Sequence, residues 1–144
     1  MGTRCGDIDP ALVTYLMRKL KVGIPKIDNI LNKECGLKGI SGISNDMRVL
    51  EGKYSKDRRA RLAVDIFVYR VRKYIGAYLA AMGGASAVVF TAGIGEHQKS
   101  IREKICRGLF CYLKNKPRLL VIPTDEELMI ARQAYKLVKG SNEA

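Results

Sequence analysis

Apolar positions recur with a helical period through most of this chain and run together in only two places. Leu12, Leu16 and Leu20 are spaced by four behind Asp9-Pro10, an N-cap residue followed by a proline suited to the first helical position, so a helix is expected from about 10 to 20. A second should begin near Pro25, carry Ile27, Ile30 and Leu31, and stop at Gly36. The segment from Gly39 to Arg48 reads as a small-residue loop opening a short helix around Asp46 to Gly52. The longest pattern runs from about Asp57 to Met82, with Ala60, Val64, Phe67, Val71, Tyr74 and Tyr78 on one face and Arg58, Arg61, Asp65 and Arg72 opposite; Gly83-Gly84 ends it. His97 to about Leu109 repeats the pattern with Ile101 and Ile105. So does a last helix with Leu128, Ala131, Tyr135 and Val138, started by a Thr124/Glu127 capping box and closed by Gly140.

The two continuous runs, Ala87–Phe90 and Leu119–Ile122, read as buried strands, with Pro123 at the exit of the second. Few strands among amphipathic helices, one of them long, define an α/β class. The first run leads into Thr91-Ala92-Gly93-Ile94-Gly95-Glu96, a strand followed by a Gly-x-Gly turn and a helix start, where a ligand could approach the main chain and free N–H groups favour an anion or polar group. Packing alone also explains such a pair of glycines. No Lys-Ser or Lys-Thr follows at P-loop spacing, and Gln98 stands where the dinucleotide fingerprint needs its third glycine.

Other candidate groups each carry a structural and a functional reading. Arg4, between glycines, is a surface residue or a forked phosphate ligand. Asp46 caps the short helix, or Asp46 and Arg48 reach a ligand, the carboxylate accepting from a ribose hydroxyl and the guanidinium stacking on a base. His97 has no legible Asp or Ser partner and reads as exposed rather than catalytic. Asp125, Glu126 and Glu127 suit the dipole of a helix start, and a carboxylate at a strand end is also where an α/β protein holds Mg²⁺, often through water.

Composition narrows the classes. The 144 residues are one domain's worth, 47% hydrophobic and 28% charged. No apolar run approaches bilayer length and the N-terminus lacks the basic and apolar regions of a secretion signal, so a soluble cytoplasmic protein without membrane contact is expected. Cys5, Cys35, Cys106 and Cys111 show no metal or scaffold spacing and read as reduced thiols; with one His, zinc has little support. The net charge of +12 is scattered over helix polar faces, a solvated surface rather than a nucleic-acid stripe, though a basic nucleic-acid-binding module remains a third-rank reading that predicts steep salt dependence.

Four segments together carry a resemblance: residues 1–10 (MGTRCGDIDP), 39–48 (GISGISNDMR), 90–96 (FTAGIGE) and 121–131 (VIPTDEELMIA). In this order they resemble the C-terminal part of acetate kinase, through almost the whole chain. The resemblance implies the acetate and sugar kinase, heat-shock-protein and actin superfamily, with two RNase H-like domains closing on ATP. This chain would be a partial RNase H-like, actin-like ATPase domain spanning 1–144. The implied activity is phosphoryl transfer between ATP and acetate, giving acetyl phosphate and ADP, with Mg²⁺. It further implies that Arg4 acts near the transferring phosphoryl group, and that Asp46, Met47 and Arg48 line the adenosine pocket. Gly93, Ile94, Gly95 and His97 would form the adenine and ribose loop, and Glu126 would position Mg²⁺.

The sequence departs from the family pattern at Cys5, where Ser is usual, at His97, where Asn is usual, and between Leu109 and Leu119, where the family has a longer connection. Met1 aligns with an internal Met of the family's motif, and the family's N-terminal domain, with the groups that hold acetate, has no counterpart here. The expectation is therefore the ATP and Mg²⁺ side of a kinase site, weakly active or inactive alone, taking acetate only if the other domain is supplied. A truncated gene or an internal start would explain this. The selection of acetate over propionate or butyrate would lie in the absent part. Uncovered strand edges and apolar faces should favour marginal stability, self-association or a homodimer, and a non-catalytic interaction module is the alternative.

Overall fold

The structure is a computed structural model and describes residues 1–141. In chain order the elements are α1 (Pro10–Leu20), α2 (Ile24–Lys33), α3 (Gly36–Ser41), α4 (Met47–Gly52), α5 (Arg58–Met82), β1 (Ala87–Phe90), α6 (Ala92–His97), α7 (Lys99–Cys106), β2 (Arg118–Val121) and α8 (Glu126–Ser141). Asp9 caps α1 through Ala11 N–H at 2.8 Å, and Asp57 caps α5 through Ala60 N–H at 2.8 Å. Gly83, in the left-handed conformation, ends α5, with Gly83 and Gly84 N–H groups bonded to the carbonyls of Ala80 and Leu79. The α/β class stands. Among the described residues the strands are two, paired in parallel from Ala87↔Arg118 to Phe90↔Val121. A parallel pair needs a crossover, and α6 and α7 provide it.

The core gathers around the first half of α5. Ala60, Ala63, Val64 and Val68 face Leu37 of α3, Met47 and Leu50 of α4, and Ile101 and Ile105 of α7, all buried. The small residues on α5 let α3 and α4 approach its axis, while Ile101 and Ile105, one turn apart, close the other side. Arg72 ties α5 to the end of α7, donating from Nη1 to the carbonyls of Ile105 at 2.8 Å, Arg107 at 2.7 Å and Lys104 at 3.3 Å.

Several expectations are corrected. Gly36 does not stop a helix; it opens α3 at φ +62°, where a Cβ would lie 2.5 Å from the Met1 carbonyl oxygen. Part of the expected loop, 39–41, is therefore helical. Gly93 and Gly95 lie within α6 rather than in a turn, and the left-handed turn residue is Ala92, φ +58°. The start of α8 is capped by Asp125, which accepts from Leu128 N–H at 2.9 Å, because the Thr124 hydroxyl is engaged elsewhere. α8 runs through Gly140. Tyr78, expected to pack, is exposed and stacks beside Tyr74. The second apolar run reads in the sequence as a buried strand, but Leu119, Val121 and Ile122 are exposed, as are Leu128, Tyr135 and Val138 on α8.

Candidate functional site

A cleft of about 570 Å³ opens between the start of α4 and the α6–α7 corner, lined by Asn45, Asp46, Met47, Arg48, Gly93, Ile94, His97 and Gln98. Its volume is that of sites for nucleosides and other small ligands. One wall is built from the Ser41–Asp46 loop. The buried Ser41 hydroxyl accepts from the N–H groups of Ile43 (3.0 Å) and Ser44 (3.3 Å), and the Ser44 hydroxyl accepts from Asp46 N–H at 3.0 Å. These bonds fix where α4 begins.

Asp46 takes up its capping role and more. Its Oδ1 accepts from Arg48 N–H at 2.9 Å, and its carboxylate is gripped by the Arg48 guanidinium, Nε at 3.1 Å and Nη2 at 2.6 Å. The side-chain hydrogen bonds from Arg48, then its backbone N–H, hold the Asp46 carboxyl below its usual range. The Arg48 side chain, 78% exposed, lies at the rim with its guanidinium paired to Asp46. Met47 is buried beneath the wall, a core anchor more than a contact surface.

The opposite wall is the backbone of α6. A Cβ built on Gly93 meets nothing within 4 Å, so this position faces open cleft. Gly95 faces the other way: its Cβ would lie 3.2 Å from the Phe90 carbonyl carbon, so this glycine lets α6 pack against β1, and Gly95 does not line the cleft. His97 is exposed at the rim.

Arg4 is exposed and outside the cleft, on a segment held by backbone bonds from Cys5 N–H to Leu31 C=O (2.8 Å) and from Cys35 N–H to Thr3 C=O (2.9 Å). Asp7 anchors its far end, ion-paired with Arg70 at 2.8 Å and accepting a hydrogen bond from the Tyr74 hydroxyl. The segment does reach the cleft edge, since a Cβ on Gly2 would lie 3.2 Å from the Asn45 carbonyl oxygen.

Glu126 is exposed in the first turn of α8. Among the described residues no group of three ligating side chains gathers. Glu96 and Thr124 emerge only from the structure. Glu96 Oε1 accepts from Thr124 N–H at 2.8 Å and from its hydroxyl at 2.7 Å. The side-chain bond and then the backbone bond from Thr124 lower the Glu96 carboxyl from its ordinary value. These residues are 28 positions apart, and the competing reading of Thr124 as a helix cap hid the contact in the sequence.

The parallel strand pair with its crossover, the long α5 and the cleft at the α6 backbone make up a partial α/β domain. The comparisons with known proteins specify it further. The family model described as "Acetokinase family" matches residues 1–115. Acetate kinase of Chloroherpeton thalassium is 48% identical, covering 96% of this chain and 39% of the relative; that of Heliobacterium modesticaldum is 47% identical, covering 97% and 40%. The crystal structure of Porphyromonas gingivalis acetate kinase matches with a TM-score of 0.87 at 37% identity, over 96% of this chain and 40% of that one. A propionate kinase from Francisella tularensis matches with a TM-score of 0.82 at 38% identity, over 91% of this chain and 38% of that one. This chain belongs to the acetokinase family, and it spans about two fifths of the length of the curated relatives it matches. The alignment to the Chloroherpeton relative runs over 162 positions although the chain has 144 residues, so that relative carries additional residues within the aligned stretch.

Proposed function

We propose that this chain is the nucleotide-binding, C-terminal part of an acetate kinase-like phosphotransferase acting in the cytoplasm, binding ATP or ADP in the cleft between α4 and α6. The observation that carries the reading is that Asp46, Met47 and Arg48, far in sequence from Gly93, Ile94 and His97, line one cleft with them. In this reading the adenosine lies along the open Gly93–Ile94 backbone, and the oriented Arg48 guanidinium stacks on the base. Arg4 serves the phosphoryl group, where charge must be neutralised in a loose transition state. Asp46 is occupied by Arg48, so it acts by orienting that side chain rather than by holding a ribose hydroxyl.

The residues present fit a magnesium ion in a limited sense. The family resemblance assigns the ion to Glu126, which is exposed in the first turn of α8 beside Glu127, while Asp125 is bonded to Leu128 N–H and Glu96 to Thr124. Mg²⁺ commonly takes one or two carboxylates together with waters and substrate phosphates, so an exposed single Glu suits it. When bound, the ion supplies charge neutralisation on the phosphate oxygens. Acetate enters only where the remainder of the family's fold is supplied, with propionate or butyrate as alternative acyl substrates. Because phosphoryl transfer depends on positioning both reactants, this polypeptide alone should show little or no kinase activity; turnover at roughly 1–100 s⁻¹ would sink that expectation.

Calorimetric titration with Mg·ATP of the wild type, Arg4→Ala and Gly93→Val tests the reading. Saturable binding lost in Gly93→Val, whose side chain would project into the open cleft, supports it. No heat from a chain shown by circular dichroism to be folded overturns it. A second reading, self-association or a homodimer, is favoured by the exposed apolar residues of β2 and α8, among them Leu119, Val121, Ile130 and Val138. Light scattering that gives a clean monomer at high concentration would remove it.

A further inference from the structure

The two segments assigned to the nucleotide and to its cation, α6 and the first turn of α8, are separate elements joined by hydrogen bonds that converge on Thr124, two of them accepted by the Glu96 carboxylate. The Thr124 hydroxyl has one proton and two lone pairs to place. Its proton goes to Glu96 Oε1 (2.7 Å), so its oxygen accepts from Ala92 N–H (2.9 Å) and from the Thr91 hydroxyl (2.8 Å). Every hydrogen-bonding site on the hydroxyl is therefore used, and Glu96 Oε1 also accepts from Thr124 N–H at 2.8 Å.

The bond to Ala92 falls on a strained residue. Ala92 has φ +58°, a conformation that disfavours any side chain with a Cβ, and it is the turn that aims α6 along the cleft. The other end of α6 is fixed independently, by Arg102 Nη1 donating to the carbonyls of Gly95 (2.8 Å) and Glu96 (2.9 Å). α6 is thus a short rigid bar, and Thr124 is attached to it two residues before Glu126.

We infer that Glu96 is a positioning residue that locks Thr124 to α6 and so fixes the start of α8, which carries Glu126, relative to α6, coupling the grip on the nucleotide to the grip on its divalent cation. The inference rests on the nucleotide reading above and adds a residue that touches neither ligand. Groups that orient a ligating segment from behind commonly matter to metal affinity nearly as much as the ligands.

The test is calorimetric titration of the chain with ADP, with and without Mg²⁺, for the wild type, Glu96→Ala, Thr124→Val and Thr124→Ser. The Mg²⁺-dependent gain in ADP affinity should fall about tenfold in Glu96→Ala and Thr124→Val and be retained in Thr124→Ser, which keeps the hydroxyl. Affinity without Mg²⁺ should stay within about twofold of the wild type in Glu96→Ala and Thr124→Ser, which keep the Thr or Ser hydroxyl that accepts from Ala92 N–H. A fall of equal size with and without Mg²⁺ would mean general loosening and overturns the inference, as does an unchanged gain. A wild type that binds no ADP overturns the nucleotide reading and the coupling with it, whereas a binding wild type with indifferent variants overturns the coupling alone. Amide exchange on the ligand-free protein reads the lock directly. Glu96→Ala should speed exchange at Ala92 and across Thr124–Leu128 together, and unchanged exchange at either place overturns the lock.

Discussion

The region from α3 to α7 and the region from β2 to α8 are similarly supplied with apolar side chains and treat them in opposite ways. In the first, Leu50, Val64 and Ile101 are wholly buried; in the second, Ile130 is 66% exposed and Val138 64%. The helical period is equally clear in both. An apolar stripe therefore states that a face wants cover, and says nothing of whether the same stretch of chain provides it. Around α5 it does, because α3, α4 and α7 converge on one run of small residues, Ala60 and Ala63. Beyond β1 the described elements run out before the sheet and α8 are covered.

The largest test of this contrast is a pair of truncations. Leu50→Ala should cost about 2–5 kcal/mol of unfolding free energy, because the tightly ringed site can collapse only in part. Ile130→Ala should change stability by no more than about 0.5 kcal/mol. Urea unfolding of both variants measures this. A large, concentration-dependent cost for Ile130→Ala would break the contrast by showing that α8 is covered in solution by a second copy. Next in size is Arg72→Met, which removes the donor shared by three carbonyls at the end of α7 and should cost about 1.5–3 kcal/mol in the same assay. Asp57→Ala, deleting the α5 cap, should cost about 1 kcal/mol, and Asp57→Asn much less.

Where local chemistry decides the structure, the sequence was readable. Asp9-Pro10, Asp57 and Gly83-Gly84 delimit α1 and α5 as their types dictate, and the two apolar runs are the two strands. Of the candidate site residues, Asp46, Met47, Arg48, Gly93, Ile94 and His97 line one cleft, whereas Arg4, Gly95 and Glu126 do not. What stayed hidden depends on distant partners. Gly36 looked like a helix end, yet its lack of a Cβ serves the passing backbone of Met1; Gly95 looked like a turn, yet it serves Phe90. Nothing local to Glu96 points to Thr124, and a Thr before acidic residues has the pattern of a helix cap, which conceals the pairing.

The smallest expected effect sharpens the contrast at its boundary, where Asp46 closes the packed region. In the folded chain the hydrogen bonds from the Arg48 side chain, and next from its N–H, lower the Asp46 carboxyl below its ordinary 3.8. A carboxyl depressed by folding contributes stability that is fully present above the unfolded value and is lost as pH falls through the folded one. The wild type should therefore lose stability below about pH 4 more steeply than Asp46→Asn, which keeps a capping acceptor without the ionisation. The two should run parallel above about pH 5. Urea midpoints taken across this range measure the difference, and coincident slopes would mean that the Asp46–Arg48 pair, despite its geometry, is too well solvated to matter. Amide exchange then localises the loss. If acid frees the start of α4 while the core around α5 stays protected, Asp46 governs only the wall of the cleft; if both open together, the cap is part of the cooperative packed unit.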